Sequence, residues 1–381
     1  MLALGERLAK RGHLVTFETW ERWRLQVQAA GMEFIPAPEF PVFPSVGQPL
    51  KPYEAVVQAT PTTRDAVAAR APHVVVHDIL TLAPAMAAEL QGIPRATLIP
   101  HLYPVRAPGF PPYSVGARLP RTPLGRAFWN AFEHPLERGL EQGRLELNDT
   151  RRQVGLPPVD RLHGGLSTDL CLVATFPQLE YPRSWPDSVH VVGPIVWEPP
   201  SDAAPRLPPG EGPLVLIAPS TSHDPEQRLL SAGIEGLAGT GLRVLASMDR
   251  RPSARALRAD DNTTTLVNWL SYARTMPHAA VVVCHAGHGT LARALMSGAP
   301  VIAVPHSGDM AENAARLDWA GVGVRLPWRL LNATTLRLAV GRALDQHSGQ
   351  IRRAAALAAW AKSHDGPTRA AQLLEQLARR T

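Results

Sequence analysis

The stretch AVVVCHAGHGTLARALMSGAPVIAVPHSGDM, residues 280–310, decides the fold. The apolar run 281–284 has the length of a buried strand, and a glycine-containing turn leads from it into apolar residues at helical spacing. Gly298 and Pro300 end that helix, and a second apolar run at 301–304 precedes another helix. Strand, turn and helix repeated in this order are typical of a parallel α/β sheet.

The turn at 285–290 is the candidate ligand site. Its glycines allow close approach to the backbone, and a helix N-terminus offers N–H groups and partial positive charge, which favour phosphate. We expect Thr290 to cap the helix and His285, at the end of a strand, to point its imidazole into the same crevice. A tight structural turn explains the glycines equally well, so this turn alone is a weak signal.

The longer string is more specific. His-x-Gly-x-Gly-Thr, a helix, Gly-Ala-Pro, a strand and Gly-Asp-Met-x-Glu-Asn-Ala together resemble the nucleotide-sugar site of family 1 GT-B glycosyltransferases. The bacterial enzymes that glycosylate macrolides, enediynes and other natural products are the most similar. The resemblance is strong over residues 265–325 and looser along nearly the whole chain. It implies an α/β fold of two Rossmann-like, doubly wound domains that face each other across a cleft.

The resemblance also implies an activity and a donor site. The activity is inverting transfer of a hexose or deoxyhexose from a UDP- or TDP-linked sugar to a hydroxyl of a small, largely apolar acceptor, with no metal or other cofactor. Trp269 would stack on the nucleobase, although core packing suits a tryptophan equally well. Ser220 and Thr221 are further phosphate candidates, although Pro219 stands where the family has glycine. The implied diphosphate contacts are His285, Gly287, Gly289 and Thr290, and the implied sugar contact is Asp309.

Two donor-facing positions depart from the family pattern. Arg293 stands where many relatives carry a glutamate that accepts hydrogen bonds from the ribose hydroxyls, and a guanidinium has no acceptor to offer. Met310 replaces a glutamine that binds sugar hydroxyls. We expect Met310 to suit a deoxygenated sugar, because it leaves no buried amide unpaired.

The catalytic residues of the acceptor half are incompletely represented. Asp78, after the strand 73–77, matches the family's acidic residue that orients the catalytic histidine, although a capping or turn role is the alternative. In the family that histidine lies on a Gly-His loop after a first strand, and this sequence contains neither feature. We therefore expect the natural chain to extend upstream of Met1. His101 follows the next strand, where a merely hydrogen-bonded histidine is the commoner case, so the sequence does not identify it as a base.

Three other functions compete with glycosyl transfer. A catalytically inactive nucleotide-sugar-binding protein, or an auxiliary partner of an active transferase, fits the missing histidine. A GT-B epimerase would act on the donor with no acceptor present. A dinucleotide oxidoreductase is disfavoured, because no Gly-x-Gly-x-x-Gly stands between a strand and a helix with an acidic residue about 20 positions later.

The domain boundaries follow from composition and the resemblance. We expect an acceptor-binding domain at 1–196, lacking its first strand, and a Pro-rich linker at 197–213. A donor-binding domain follows at 214–355, and helices at 356–381 cross back to the first domain. The stripe Phe128, Trp129 and Phe132 has the spacing of core residues.

Composition limits the remaining classes. The 381 residues are 45% apolar and 19% charged, which is typical of a globular protein. Because there is no apolar span of about 18 residues and no leader, we expect a cytoplasmic protein without a membrane span. Cys171 and Cys284 are expected to be packing residues. The net charge of +6 is spread along the chain without a nucleic-acid module, so no nucleic-acid partner is expected. A monomer or homodimer is expected.

Overall fold

The computed structural model describes residues 1–40, 52–202, 204–219, 224, 226–248, 263–306 and 308–380. Ser220 and Thr221, two of the predicted phosphate contacts, lie outside these residues. Within the described ranges, no helix has the length and apolar character needed to cross a membrane.

The described residues alternate between strands and helices. The strands are β1 (Thr16–Thr19), β2 (Glu33–Pro36), β3 (Val75–Asp78), β4 (Arg95–Ile99), β5 (Leu170–Val173), β6 (Val189–Val191), β7 (Leu214–Ala218), β8 (Arg243–Ser247), β9 (Thr264–Val267), β10 (Val281–Cys284), β11 (Val301–Ala303) and β12 (Gly323–Arg325). The α-helices are α1 (Leu2–Lys10), α2 (Arg24–Ala29), α3 (Pro52–Arg70), α4 (Ala83–Leu90), α5 (Pro123–Ala131), α6 (Glu133–Gln153), α7 (Arg228–Leu237), α8 (Tyr272–Thr275), α9 (His288–Met296), α10 (Asp309–Ala320), α11 (Ala333–Leu344), α12 (Gln350–Ser363) and α13 (Gly366–Ala378).

The carboxyl-terminal half is a parallel six-stranded sheet in the order β12-β11-β10-β7-β8-β9. Alternate residues of its strands enter two apolar cores. Val282 packs with residues of α9, α10 and α12 on one face, whereas Val283 packs with residues of α7 and α11 on the other. Because helices cover both faces, the strands must be apolar throughout, which is why 281–284 contains no alternating polar residue. The predicted doubly wound α/β architecture is confirmed in this half.

The amino-terminal half contains two parallel sheets, β3-β4-β5-β6 and the separate pair β1-β2. In the described part of the chain, β1 is paired only with β2, and β3 only with β4. The single sheet implied by the resemblance is thus divided in two. The segment between β6 and β7 contains the predicted linker and has neither helix nor strand among its described residues.

The last helix, α13, packs against the amino-terminal half. Leu373 and Leu374 share an apolar core with Leu98 of β4 and Leu172 of β5. At the rim, Glu375 accepts two hydrogen bonds from the guanidinium of Arg11, at 2.7 and 2.8 Å. The two ends of the described chain therefore stabilise the same half of the molecule.

The aromatic stripe on α5 corrects one prediction. Phe128 and Phe132 were expected in the core, but their side chains are 55% and 43% exposed. Their ring centroids lie 5.0 Å apart, and Trp129 contacts both rings, so the three aromatics pack on one another at the surface. Helical spacing identified an apolar face correctly but carries no information about what covers that face.

The two cysteines are buried free thiols. Burial raises the pKa of Cys171 to about 11 and that of Cys284 to about 12, so both thiols stay protonated at neutral pH. The prediction that they are packing residues is confirmed.

Candidate active site

The candidate site lies where the two halves meet, at the carboxyl ends of their parallel strands. His288, the first residue of α9, donates a hydrogen bond from Nε2 to the carbonyl oxygen of Ala174, which follows β5, at 3.2 Å. Leu102 and Phe176 of the amino-terminal half belong to the same apolar core as Leu291 of α9. In open α/β sheets this strand edge is where ligands bind.

The turn from β10 into α9 has a specific local cause. Ala286 has φ of +64°, in the left-handed region that residues with a Cβ rarely adopt. Its carbonyl oxygen accepts a hydrogen bond from Nδ2 of Asn313 on α10 at 2.9 Å, and its N–H lies 3.4 Å from Sγ of Cys284. These contacts hold a strained turn at the candidate site.

The N-terminus of α9 has no side-chain cap. Gly287 is the N-cap residue, with φ −57° and ψ 133°, and as a glycine it has no side chain that could accept a hydrogen bond from the first turn. Thr290 was expected to cap this helix, but that prediction is wrong because α9 begins at His288 and Thr290 already lies inside its first turn. The N–H groups of this turn are therefore left for a ligand or solvent.

The two glycines of this turn are not required by packing. A Cβ built on Gly287 or on Gly289 meets no atom within 4 Å, and neither residue has positive φ. Gly289 is exposed and Gly287 is half-buried. Their lack of side chains thus leaves open space in front of a helix N-terminus, which is the arrangement that a phosphate group needs.

His285 is covered and does not line an open crevice. Its side chain and that of Asp224 are each 1% exposed, and His285 Nε2 lies 3.6 Å from Asp224 Oδ2. The ring of Trp328 lies 5.7 Å away on another side. The expectation that the imidazole points into the crevice is thus not met in this structure. A diphosphate reaches this imidazole only if the Asp224 carboxylate moves away.

Asp224 is a site residue that sequence reasoning missed. Its carboxylate accepts hydrogen bonds from the N–H groups of Arg228 and Leu229 at the start of α7, both at 2.9 Å. Burial alone would raise the pKa of this carboxyl, but His285 and the two N–H groups together lower it below its usual value. The signal was an aspartate four residues before a helix, which predicts a helix cap but not a histidine contact.

Asp309 is the first residue of α10, so its carboxylate is stabilised by the positive end of the helix. It is half-buried, and Asn313 Nδ2 lies 3.4 Å from its Oδ2. Met310 was expected to face the sugar but is only 7% exposed and belongs to the apolar core. Met310 thus contributes to packing, because its side chain lies on the buried side of α10.

Arg293 is paired with the linker. Its Nη1 lies 3.2 Å from Oε2 of Glu198, and its Nη2 donates to the carbonyl oxygen of Trp197. Burial lowers the pKa of Arg293, against the opposing charge of Glu198. Glu198 therefore supplies, beside Arg293, the carboxylate that position 293 itself lacks. The sequence pattern did not indicate Glu198 as a site residue. Trp269 follows β9 and is 49% exposed, so its ring is accessible from solvent.

The amino-terminal half contributes Asp78, His101 and Tyr113. Asp78 ends β3, and its Oδ1 accepts a hydrogen bond from the N–H of Leu80 at 2.9 Å, which is the turn role considered above. His101 Nδ1 lies 2.7 Å from the carbonyl oxygen of Leu102 and 3.1 Å from the Tyr113 hydroxyl. Burial, followed by the negative charge of Asp309, raises the pKa of Tyr113. Tyr113 therefore contacts His101 and is influenced by the charge of Asp309 from the other half, a connection with no sequence signal.

A buried ionic cluster joins the halves beside this site. Arg316 of α10 donates from Nε to Glu312 Oε1 at 2.7 Å, and its Nη1 lies 3.2 Å from Glu180 Oε2 in the other half. The Tyr181 ring centroid lies 3.5 Å from the guanidinium carbon. Tyr103 N–H donates to Glu180 Oε1 at 2.7 Å. In the described ranges, no group of three or more His, Cys, Asp or Glu side chains is arranged to hold a metal ion.

Comparisons with known proteins agree with this geometry. Residues 240–377 match the C-terminal domain of the proteins similar to erythromycin biosynthesis protein CIII. The chain is 28% identical to 4'-demethylrebeccamycin synthase of Lentzea aerocolonigenes over 285 residues, 69% of this chain and 65% of that protein. It is 27% identical to zeaxanthin glucosyltransferase of Pseudescherichia vulneris over 402 residues, 98% of this chain and 93% of that protein.

Solved structures show the same fold. The glycosyltransferase of kitacinnamycin superposes with a TM-score of 0.77 at 21% identity, over 99% of this chain and 94% of that one. The chain has the GT-B fold of two Rossmann-like domains. A second structure of this fold, glycosyltransferase VinC solved in complex with dTDP, has a TM-score of 0.72 at 17% identity, over 100% of this chain and 96% of that one. In this GT-B fold, the turn before α9 and the start of α10 face the amino-terminal half, as the predicted architecture of two facing domains requires.

Proposed function

We propose that this protein transfers a hexose or deoxyhexose from a UDP- or TDP-linked sugar to a hydroxyl of a small, largely apolar acceptor, with inversion at the anomeric carbon. The observation that carries the proposal is the N-terminus of α9, where Gly287 and Gly289 leave open space, together with Asp309 at the start of α10. A diphosphate fits the first feature and a sugar bearing hydroxyls fits the second.

The donor is assigned to the carboxyl-terminal half. The diphosphate would accept hydrogen bonds from the N–H groups of the turn 287–290, and Asp309 would accept from sugar hydroxyls. The exposed ring of Trp269 offers a flat face for a base. Glu198, held beside Arg293, offers the acceptor for ribose hydroxyls that the arginine lacks. The complex of VinC with dTDP supports a nucleoside diphosphate as the shared ligand.

The chemistry follows from where charge develops. The acceptor oxygen attacks the anomeric carbon, the bond from that carbon to the diphosphate oxygen breaks, and the electron pair stays on the departing diphosphate. The N–H groups and partial positive charge of α9 would stabilise this negative charge without reorganising. Each hydrogen bond to a charged oxygen contributes on the order of 1.5–3 kcal/mol. As proposed, the protein's own groups supply this stabilisation, with no part for a metal ion.

The acceptor is assigned only by class. The names of the relatives, a demethylrebeccamycin synthase and a zeaxanthin glucosyltransferase, indicate large and mostly apolar acceptors for those proteins. We propose the same class here, bound to the amino-terminal half. Its loops before α5 contain several prolines and aromatics, and the half-buried rings of Phe110 and Tyr113 offer apolar surface.

Product analysis tests the proposal against its rivals. The purified chain is incubated with UDP- and TDP-sugars and a panel of macrolide and polyphenol acceptors, and products are identified by mass spectrometry. Glycosylated acceptor together with free nucleoside diphosphate supports the proposal. Binding of dTDP or UDP without any transfer would instead indicate a nucleotide-sugar-binding protein, and an altered donor formed without acceptor would indicate an epimerase.

A further inference from the structure

We propose that a cavity in the amino-terminal half binds a small aromatic carboxylate. The cavity has a volume of about 450 Å³ and lies between the loop 104–120, helix α5 and the segment that follows Tyr181. Small-molecule sites in proteins usually measure about 300–1,000 Å³. Every lining residue belongs to the amino-terminal half, so the cavity is separate from the turn before α9. The inference concerns binding alone and does not rest on sugar transfer.

The loop wall of the cavity is fixed to α5 by hydrogen bonds. The guanidinium of Arg106 donates from Nε to the carbonyl oxygen of Phe110 at 2.9 Å and from Nη2 to that of Trp129 at 2.8 Å. The N–H of Gly109 donates to Oδ1 of Asn130 at 2.6 Å. Gly109 has φ of +75°, which a residue with a side chain rarely adopts. The cavity is therefore formed before any ligand binds, which lowers the entropic cost of binding.

Three guanidinium groups line the cavity, those of Arg106, Arg126 and Arg183. Within the described ranges only Arg106 forms an ion pair, in which its Nη1 lies 3.6 Å from Oε1 of Glu133. Like charges that converge without matching carboxylates leave a positive potential in the space between them. An anion is the ligand that this potential favours.

Arg183 is fixed in position and retains unpaired donors. Its guanidinium carbon lies 4.9 Å from the ring centroid of Tyr103 and 5.1 Å from that of Trp185, and its Nη1 donates to the carbonyl oxygen of Val105 at 2.5 Å. Among the described residues, neither its Nη2 nor its buried Nε has a hydrogen-bond partner. Burial is the main cause that lowers the pKa of Arg183, so its surroundings do not fully compensate its charge. A guanidinium in this state matches the planar geometry of a carboxylate, which can accept two N–H groups at once.

The rest of the lining favours an apolar body for the ligand. Pro108, Phe110, Leu119 and Pro182 contribute apolar side chains to the cavity. Burying apolar surface against them stabilises a bound ring, whereas a small inorganic anion loses hydration there without that gain. The half-buried ring of Phe110 also offers a face or an edge to a second ring. A ligand with one aromatic ring system and one carboxylate therefore matches both parts of the lining.

The test compares three probes by titration calorimetry: indole-3-acetate, its neutral analogue indole-3-acetamide, and inorganic phosphate. We expect indole-3-acetate to bind with a dissociation constant on the order of 100 µM. The other two should bind at least about tenfold more weakly, because the amide lacks the charge and phosphate lacks the ring. Absence of indole-3-acetate binding, equal binding of the amide or equal binding of phosphate would each overturn the proposal.

Substitutions show whether the probe binds in this cavity. Arg126→Gln and Arg183→Gln each remove one guanidinium, and each should weaken indole-3-acetate binding by about 10- to 100-fold, the effect of losing a charge-assisted hydrogen bond. Arg138→Gln, which changes an exposed arginine of α6 outside the cavity, is the matched control and should bind like wild type.

Thermal melting shows which variants are folded. Arg126 is exposed, so its replacement should leave the fold intact even if Arg183→Gln, which loses contacts with two rings, does not fold. Wild-type affinity in either folded variant, or an equal loss in Arg138→Gln, would overturn the proposal. Because the readout is binding of the probe and not sugar transfer, failure of the proposed function would leave this result unaffected.

Discussion

Replacing Gly289 by alanine should separate donor binding from folding. The new Cβ meets no protein atom within 4 Å, and the backbone at this position is helical without positive φ. Alanine lowers the conformational entropy of the unfolded chain and favours the helix, so we expect the free energy of unfolding to rise by roughly 0.5 kcal/mol. The fold thus gives no reason for a glycine at this position.

The same methyl group should weaken binding of the donor. It projects into the open space before α9, where a phosphate oxygen must come within hydrogen-bond distance of the N–H groups. Losing one such charge-assisted hydrogen bond costs about 1.5–3 kcal/mol. At about 1.4 kcal/mol per tenfold change, the dissociation constant for dTDP should rise by roughly 10- to 100-fold. The variant should therefore be slightly more stable and markedly weaker in binding.

A matched control isolates the cause. Gly341 lies on the exposed side of α11, and its Cβ would likewise meet nothing within 4 Å. Gly341→Ala should raise stability by a similar amount and leave dTDP binding unchanged. Both variants are measured by urea unfolding and by titration calorimetry with dTDP and UDP. If Gly289→Ala binds both nucleotides as tightly as wild type, the turn does not hold the diphosphate, and the donor site proposed here is refuted.

Three further perturbations have defined outcomes. Burial lowers the pKa of His77 and of His288 to about 4. The unfolded state, with a histidine pKa near 6.5, therefore binds more protons than the folded state between pH 6.5 and 4. As the pH is lowered through that window, the free energy of unfolding should fall by up to about 3 kcal/mol for each ring. Above pH 6.5 these two rings should leave it unchanged. Urea unfolding at pH 7.5 and 5.0 checks this, and equal stabilities would contradict it. Arg316→Met leaves the Glu180 and Glu312 carboxylates buried without their cation. The free energy of unfolding, measured by urea unfolding, should therefore drop by about 3–5 kcal/mol. A loss below about 1 kcal/mol would show that water reaches the two carboxylates. Asp224→Ala removes two helix-capping hydrogen bonds, so it should destabilise the protein by about 1–2 kcal/mol. It also uncovers His285 and removes a carboxylate that would repel the diphosphate, so dTDP should bind roughly tenfold more tightly in calorimetry. Weaker dTDP binding would mean that Asp224 instead holds His285 in position for the donor.

What the sequence predicted well was determined locally. The strand 281–284, the glycine turn and the helices on either side follow from a few consecutive residues whose spacing and backbone preferences allow few alternatives. The fold class was predictable for the same reason, since each strand-turn-helix unit repeats that pattern. The errors at Thr290 and Met310 are of a different kind. Each concerns one position at the start of a helix. If the helix begins one or two residues earlier or later, a different side chain caps it and a different one packs against the core.

What the sequence could not predict depends on contacts between distant segments. The covering of His285 by Asp224 joins residues 61 positions apart in the chain, and the charge of Asp309 acts on Tyr113 only because the two halves face each other. Phe128 and Phe132 are exposed because no helix or strand of the described residues covers this face of α5, which periodicity does not report. Glu198 is paired with Arg293 only because the linker crosses α9 at that point. None of these partners leaves a mark in the local pattern.

Helix α10 connects the donor site with the contact between the halves. Asp309 at its start faces the proposed sugar position, and Asn313 one turn later holds the strained carbonyl of Ala286 in the diphosphate turn. Arg316, less than one further turn along, is bound to Glu180 of the other half. A rigid helix transmits a displacement at one end to the other, because its backbone hydrogen bonds resist bending. A change in the buried cluster at Arg316 should therefore alter donor affinity as well as stability, even though no atom of Arg316 is assigned to the donor.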